Sequence, residues 1–355
     1  MTDSKILRTA IRAMHPRKVF RISRAAKSEV NNVFVEISAE GISGFGEASP
    51  NAFYGESATD IQSRLQSAAP LIAGLRIDSA QDIESAWHRV WPALAPSRAA
   101  QCALDLALWD WLARRNRVSV SELAIGTPPH PVPSFCTIGI SDPAELEQKT
   151  GELEGFPRIK IKSDAHADLR PIRFIRKRTG AQLAVDANCA WGGIDLAAIS
   201  VELARLGVLF LEQPLSPADD VRMEKLLASL HLPILADESC VTIEDVERMP
   251  GRFSGFNIKL VKCGGLTPAL AMLQRAQSLG LKTMTGCMLE SSLLIAAGAV
   301  VAQQTDYADL DGAWLLKDDP FLGLPLRNGV LTPTPQPGFG VWRFPLANAG
   351  VWPSF

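Results

Sequence analysis

The chain has 355 residues, 47% of them hydrophobic, and a formal net charge of −2 from 36 basic and 38 acidic side chains. That length can bury a large core and make two domains, and the near-neutral balance without a Lys/Arg run argues against a nucleic-acid surface. Lys5, Arg8 and Arg12 are followed by no apolar stretch, and the apolar run 293–302 is about half the roughly 20 residues of a membrane span, so neither a secretory leader nor membrane insertion is expected.

In chain order, residues 19–23 and 33–38 alternate in the manner of strands. Ala39-Glu40-Gly41 is a turn, and residues 42–47 continue as a strand, which predicts an antiparallel meander. Residues 57–99 read as mostly helical. Residues 100–114 are strongly so, with Leu104, Ala107, Leu108 and Trp111 spaced to bury one face. Pro128, Pro129, Pro131 and Pro133 stiffen a connector, so residues 1–127 form one α+β domain. Beyond it, strand patterns at 134–140, 158–162, 182–186, 208–212, 233–237, 255–260, 282–285 and 307–311 alternate with helical stretches such as 195–206, 217–230 and 268–279. Eight strands with intervening helices predict an α/β fold, a (β/α)7β TIM-like barrel over 128–326, capped by the first domain. An open doubly wound sheet would share the rhythm, but no GxGxxG follows a strand. The segment 327–355, with Phe339, Val341, Trp342 and Phe344, is expected to pack back on the capping domain.

Cys102, Cys136, Cys189, Cys240, Cys263 and Cys287 are scattered without a CxxC pair and read as reduced thiols of a cytoplasmic protein. The five histidines have no metal-ligand spacing. What remains is the set of side chains at the carboxyl ends of the barrel strands, where such folds place their active sites. Asp186, Glu212 and Asp237 are separated by 26 and 25 positions, one strand–helix unit each, so three successive strands each end in an acid. One such acid would be a cap or a salt bridge. Three at one level repel unless a cation lies between them, and oxygen ligands with room for water and substrate suit Mg²⁺. Lys160 and Lys162, two apart, share a face of the second strand. Lys259 comes from the sixth, across the bore. A strand lysine is ordinarily a snorkelling surface residue. Beside three acids these three form an acid/base set. Lys262, three positions on, is expected to point away or lie in the following loop.

The pieces Lys160-Ile161-Lys162, Val185-Asp186-Ala187-Asn188, Leu211-Glu212-Gln213-Pro214, Ala236-Asp237-Glu238-Ser239 and Asn257-Ile258-Lys259 with Gly264-Gly265 resemble the muconate-lactonizing subgroup of the enolase superfamily, as does Gly44-Phe45-Gly46-Glu47-Ala48. The resemblance implies Lys162 and Lys259 as acid/base pair, Lys160 as their electrostatic neighbour, and Asp186, Glu212 and Asp237 as ligands of one Mg²⁺. Cycloisomerases, o-succinylbenzoate synthases, N-acylamino acid racemases and dipeptide epimerases share these motifs. Asp309-Leu310-Asp311 looks like the Asp-x-Asp of the dipeptide epimerases, where it holds a substrate α-ammonium; a helix cap or solvated loop is the plainer reading. The resemblance therefore implies a small dipeptide as substrate, with L-Ala-D/L-Glu suggested by Arg24 in the first of two specificity loops, near 20–26 and 50–56. Glu290 would instead favour a cationic side chain or pair with Arg24, and Phe53 and Tyr54 could line an apolar pocket. A Schiff-base aldolase or a non-catalytic binding protein would also use this barrel, and the reading leaves room for a homo-oligomer.

Overall fold

The computed structural model describes residues 4–343. The chain starts with β1 (Ile6–Met14), β2 (Phe20–Ile22), β3 (Ala25–Lys27), β4 (Val30–Ala39) and β5 (Ile42–Ala48). The meander runs β1–β4–β5, antiparallel throughout, with Ile6 opposite Ser38 and Met14 opposite Val30. The sequence reading missed β1 and set residues 19–23 in its place. Those residues instead begin the separate β2–β3 hairpin. The reason lies in β1's apolar residues: Ile6 and Ile11 are exposed while Ala10 and Met14 are buried, so hydrophobicity does not sort by face along it.

Three helices follow, α1 (Ala58–Ala73), α2 (Ala80–Leu94) and α3 (Arg98–Asn116), then the short α4 (Val120–Ile125). Ser57, Ser79 and Ser97 cap the three long helices through their hydroxyls. Helix α3 is buried on every side from Ala99 to Ala113, because it lies between the β4–β5 face and the barrel. The close approach depends on glycine. A Cβ on Gly46 would stand 1.9 Å from the Ala103 carbonyl oxygen, and one on Gly44 would stand 2.4 Å from that of Ala107. Gly46→Ala is therefore expected to destabilise the protein by about 3 kcal/mol, read as a lowered unfolding midpoint; an unchanged midpoint would refute this packing.

The barrel comprises β7 (Cys136–Ile138), α5 (Pro143–Glu152), β8 (Arg158–Lys162), α6 (Arg170–Arg176), β9 (Gln182–Asp186), α7 (Leu196–Arg205), β10 (Val208–Glu212), α8 (Asp220–Leu226), β11 (Ile234–Ala236), α9 (Ile243–Val246), β12 (Gly255–Ile258), α10 (Leu260–Cys263), α11 (Leu266–Ser278), β13 (Lys282–Gly286), α12 (Ser292–Ala302) and β14 (Tyr307–Asp309), preceded by β6 (Val132–Pro133). The eight strands β7 to β14 are parallel and in sequence order. Phe135 N–H donates to the Ala308 carbonyl at 2.8 Å, and Leu310 N–H donates to Ser134 Oγ at 2.8 Å, which draws the two edges together. Phe135, Ala184, Phe210, Leu235 and Met284 plug the bore with apolar volume. The polar interior is therefore confined to the carboxyl end.

The two parts are tied by buried polar contacts. Asp105 of α3 accepts from Thr267 N–H at 3.0 Å and from its hydroxyl at 2.6 Å. Past the barrel, Phe339 N–H donates to Asp110 Oδ1, and Arg114 donates to the Val341 carbonyl. The expectation for 327–355 extends past Arg343, outside the described residues. Among the described residues no helix is long and apolar enough to cross a membrane.

Candidate active site

Parallel register sets the site. Lys162 pairs with Asp186 across β8–β9, and Asp186 pairs with Glu212 across β9–β10. Asp237 follows the end of β11 and Lys259 the end of β12. All five are buried or nearly so, and Lys162, Asp237, Lys259, Asp309 and Asp311 line one cavity of about 390 Å³. The hairpin β2–β3 and residues 51–54 roof it, contributing Phe20, Arg24, Lys27, Phe53 and Tyr54.

Each of the three acids is held the same way. One oxygen is anchored by a group outside the acid/base set: Asp186 Oδ1 by Asn188 N–H at 2.8 Å, Glu212 Oε1 by Asn257 Nδ2 at 2.7 Å, Asp237 Oδ1 by Lys262 Nζ at 2.7 Å. The other oxygen meets a lysine of that set: Asp186 Oδ2 meets Lys162 at 2.5 Å, Glu212 Oε2 Lys160 at 3.0 Å, and Asp237 Oδ2 Lys259 at 2.8 Å. Gln213 fixes the frame. Its Oε1 accepts from Asp237 and Ser239 N–H, and its Nε2 donates to the Leu215 carbonyl and Ser239 Oγ. Its φ of +35° and that of Asn188, +43°, are unusual for side chains with a Cβ and mark a strained rim.

The electrostatics follow from burial among charges. Burial and the charge of Asp186 push Glu212 up to about 7, although Lys160 opposes them. Asp186 and Asp237 go the other way: burial would raise both, but Lys162 with Lys160, and Lys259 with Lys262, hold them below the usual carboxylate range. Burial would lower Lys160 and Lys259. Asp309, Glu212 and Asp186 hold Lys160 well above its ordinary value, and Asp237 and Glu212 hold Lys259 above its own. Three carboxylates thus outweigh the neighbouring ammonium and keep Lys160 charged.

Among the described residues no three acids, histidines or cysteines converge into a ready-made metal cage, since lysine ammonium groups stand between the carboxylates. The donor set nevertheless fits a hard divalent cation. Three buried carboxylates sit at one end of adjacent strands, and each has one oxygen anchored and the other facing a cation. Asn188 Oδ1 and Glu238 Oε2 are buried nearby without a hydrogen-bond partner, as at a site built for a polar ligand.

The remaining sequence candidates divide. Asp309 is ion-paired with Lys160 and accepts from Thr137 Oγ1 at 3.3 Å; Asp311 accepts from Thr137 N–H at 2.6 Å. Burial and Asp309 push Asp311 up to about 7. Arg24 donates to Glu238 at 2.5 Å and to the Asn188 carbonyl at 3.1 Å, and its guanidinium lies over the Phe53 ring. Glu290 is not among the cavity's wall residues; burial lifts it to about 8 while it accepts from Met288 N–H. Two residues were not foreseen. Lys262 turns inward and bonds Asp237 Oδ1 and the Asp237, Cys240 and Asn257 carbonyls. Lys27 lines the cavity, and among the described residues its ammonium has no hydrogen bond or ion pair; burial, then Lys259 and Arg24, lower it.

Comparison with known proteins agrees with this geometry. The family model of the mandelate racemase / muconate lactonizing enzyme N-terminal domain matches residues 6–126, and that of the enolase C-terminal domain-like family matches residues 144–342. The chain is 38% identical over 326 residues to the L-Ala-D/L-amino acid epimerase of Flavobacterium johnsoniae, covering 92% of this chain and 96% of that one. It is 40% identical over 306 residues to the L-Ala-D/L-Glu epimerase of Escherichia coli, covering 84% and 91%. Among solved structures, the dipeptide epimerase of Enterococcus faecalis complexed with Mg and L-Leu-L-Tyr superposes with a TM-score of 0.87 at 26% identity, covering 96% and 99%.

Proposed function

The chain belongs to the mandelate racemase / muconate lactonizing enzyme family of the enolase superfamily, and from that premise we propose that it is an isomerase that epimerises dipeptides, inverting the α-carbon of the C-terminal residue by 1,1-proton transfer. The observation that carries the reading is the pairing of Lys162 and Lys259, four strands apart round an eight-stranded barrel, in one cavity with Asp309 and Asp311. Lys162 and Lys259 address opposite faces of the α-carbon; one takes the proton while the other delivers one. Asp309 and Asp311 receive the substrate's α-ammonium, and the roof formed by Phe20, Phe53 and Tyr54 excludes water. Asp186, Glu212 and Asp237 would hold Mg²⁺, which supplies positive charge where negative charge builds on the substrate carboxylate.

L-Ala-D/L-Glu is the preferred substrate in this reading, and Lys27, rather than Arg24, meets the glutamate side chain. Arg24 already has Glu238, whereas Lys27 has no ion pair among the described residues and only the nearby buried Glu290 to oppose Lys259 and Arg24. Lys27→Ala is expected to raise KM for L-Ala-L-Glu about tenfold or more with little change in kcat, and to leave L-Ala-L-Leu unaffected. Equal losses on both dipeptides would remove Lys27 from this role.

One observation favours a second reading within the family. Lys160 and Thr137 already satisfy Asp309 and Asp311 in part, as a structural role and an N-acylamino acid substrate would require. Measuring α-proton exchange in D₂O on L-Ala-L-Glu and on its N-acetyl derivative separates the two. The dipeptide reading expects the acetylated compound to be slower by about 10²-fold, since acetylation removes the charge that a buried ion pair reads; equal rates would sink it.

A further inference from the structure

The segment between β13 and α12, residues 287–291, forms part of the cavity wall through Cys287, Met288 and Leu289. It also leans on the turn that follows the Asp-x-Asp pair. A Cβ on Gly312, the residue after Asp311, would stand 2.3 Å from the Met288 carbonyl oxygen and 3.2 Å from Glu290 N. The path of this segment therefore bears on both the wall and the place of Asp311.

That path is fixed from the capping domain. Glu47 of β5 reaches across the domain boundary and is fully buried, together with Asn32 of β4 and Ser291. Its Oε1 accepts from Asn32 Nδ2 at 2.7 Å and from Ser291 N–H at 3.0 Å, and its Oε2 accepts from the Ser291 hydroxyl. Asn32 Nδ2 also donates to the Leu289 carbonyl at 3.1 Å, and Ser49 Oγ donates to the same oxygen at 3.4 Å. Side chains of the capping domain thus hold the segment at Leu289 and at Ser291. Without the Glu47 carboxylate, the buried Ser291 N–H and one Asn32 amide hydrogen lose their acceptor. A buried donor left unpaired costs more than the bond itself contributes, so the segment shifts to find another partner.

We propose that Glu47 is a positioning residue for the substrate cavity: by holding residues 289–291 across the domain boundary, it sets how tightly the dipeptide binds without touching it. The proposal rests on the dipeptide reading. Glu47 is not among the cavity's wall residues and acts through Met288, Leu289 and Asp311, which are. Its effect falls on KM, because the lysines that move the proton come from β8 and the end of β12 rather than from this segment. The effect is also the same for every C-terminal side chain, unlike that of Lys27.

The test compares Glu47→Ala, Ser291→Ala and Glu47→Gln with Asp105→Ala, which cuts another buried tie between the same two domains, at Thr267. Two readouts are taken with Mg²⁺ present: KM and kcat for L-Ala-L-Glu and L-Ala-L-Leu, and backbone amide hydrogen exchange of residues 287–291 in the substrate-free protein. Glu47→Ala is expected to speed that exchange and to raise both KM values about tenfold with little change in kcat. Ser291→Ala, which keeps the N–H bond to Glu47, raises them about threefold and carries the test if Glu47→Ala does not fold. Glu47→Gln, whose amide oxygen still accepts from Asn32 and Ser291 N–H, keeps KM within about twofold of the wild type. Asp105→Ala lowers the unfolding midpoint without either effect. Unchanged KM in both alanine variants at positions 47 and 291, or an equal rise of KM in Asp105→Ala, overturns the positioning role and leaves the epimerase reading intact. Absence of turnover by the wild type on both dipeptides overturns both.

Discussion

Lys162→Ala and Lys259→Ala are each expected to reduce epimerisation by about 10³-fold, and to do so on opposite faces of the substrate. Both ammonium groups open into one cavity, from β8 and from the end of β12. Each is held against a carboxylate, Lys162 against Asp186 and Lys259 against Asp237. With one lysine gone, the survivor still reaches the hydrogen on its own side. One variant therefore exchanges the α-hydrogen of the L,L dipeptide without inverting it, and the other does so with the L,D dipeptide. Deuterium incorporation from each diastereomer, measured separately from inversion, checks this. A variant retaining about a tenth of the wild-type rate would show that its lysine does not move the proton.

Removing divalent ions with EDTA is expected to lower exchange on either diastereomer by about 10³-fold or more, and Mg²⁺ to restore it. The acids that would hold the ion are buried, and burial together with Asp186 already lifts Glu212 to about 7, so without further positive charge Glu212 is poorly balanced. Direct titration of Mg²⁺ binding to Glu212→Gln, expected to weaken affinity by at least about tenfold, gives a readout apart from turnover. Insensitivity to EDTA, with a lysine trapped by borohydride in the presence of substrate, would point to Schiff-base chemistry instead.

The barrel and the three acids were legible because both rest on spacing. A βα unit recurs every 25 or 26 positions, and Asp186, Glu212 and Asp237 sit at the same point in successive units. Lys262 was misread by treating residues after Lys259 as strand. The chain enters the one-turn helix α10 there, and in a helix a residue three positions on returns to the same face. Lys27 escaped for a related reason. Arg24 lies in the turn and Lys27 on the second strand of a three-residue hairpin pair, and only the folded hairpin decides which cation finds Glu238 and which is left at the cavity wall. Glu290 illustrates the converse. As a charge in the sequence it suggested selection of a cationic substrate, yet burial lifts it to about 8, which leaves it largely neutral near pH 7.

The central claim is inversion of a dipeptide at the C-terminal α-carbon. It is tested most directly by incubating L-Ala-L-Glu in D₂O with the protein and Mg²⁺ and separating the products by chiral chromatography with mass detection. The account predicts L-Ala-D-Glu heavier by about one dalton, the mark of solvent-derived hydrogen at that carbon. L-Ala-L-Glu recovered unchanged and unlabelled, alongside an equally inert panel of other L,L dipeptides, would contradict it.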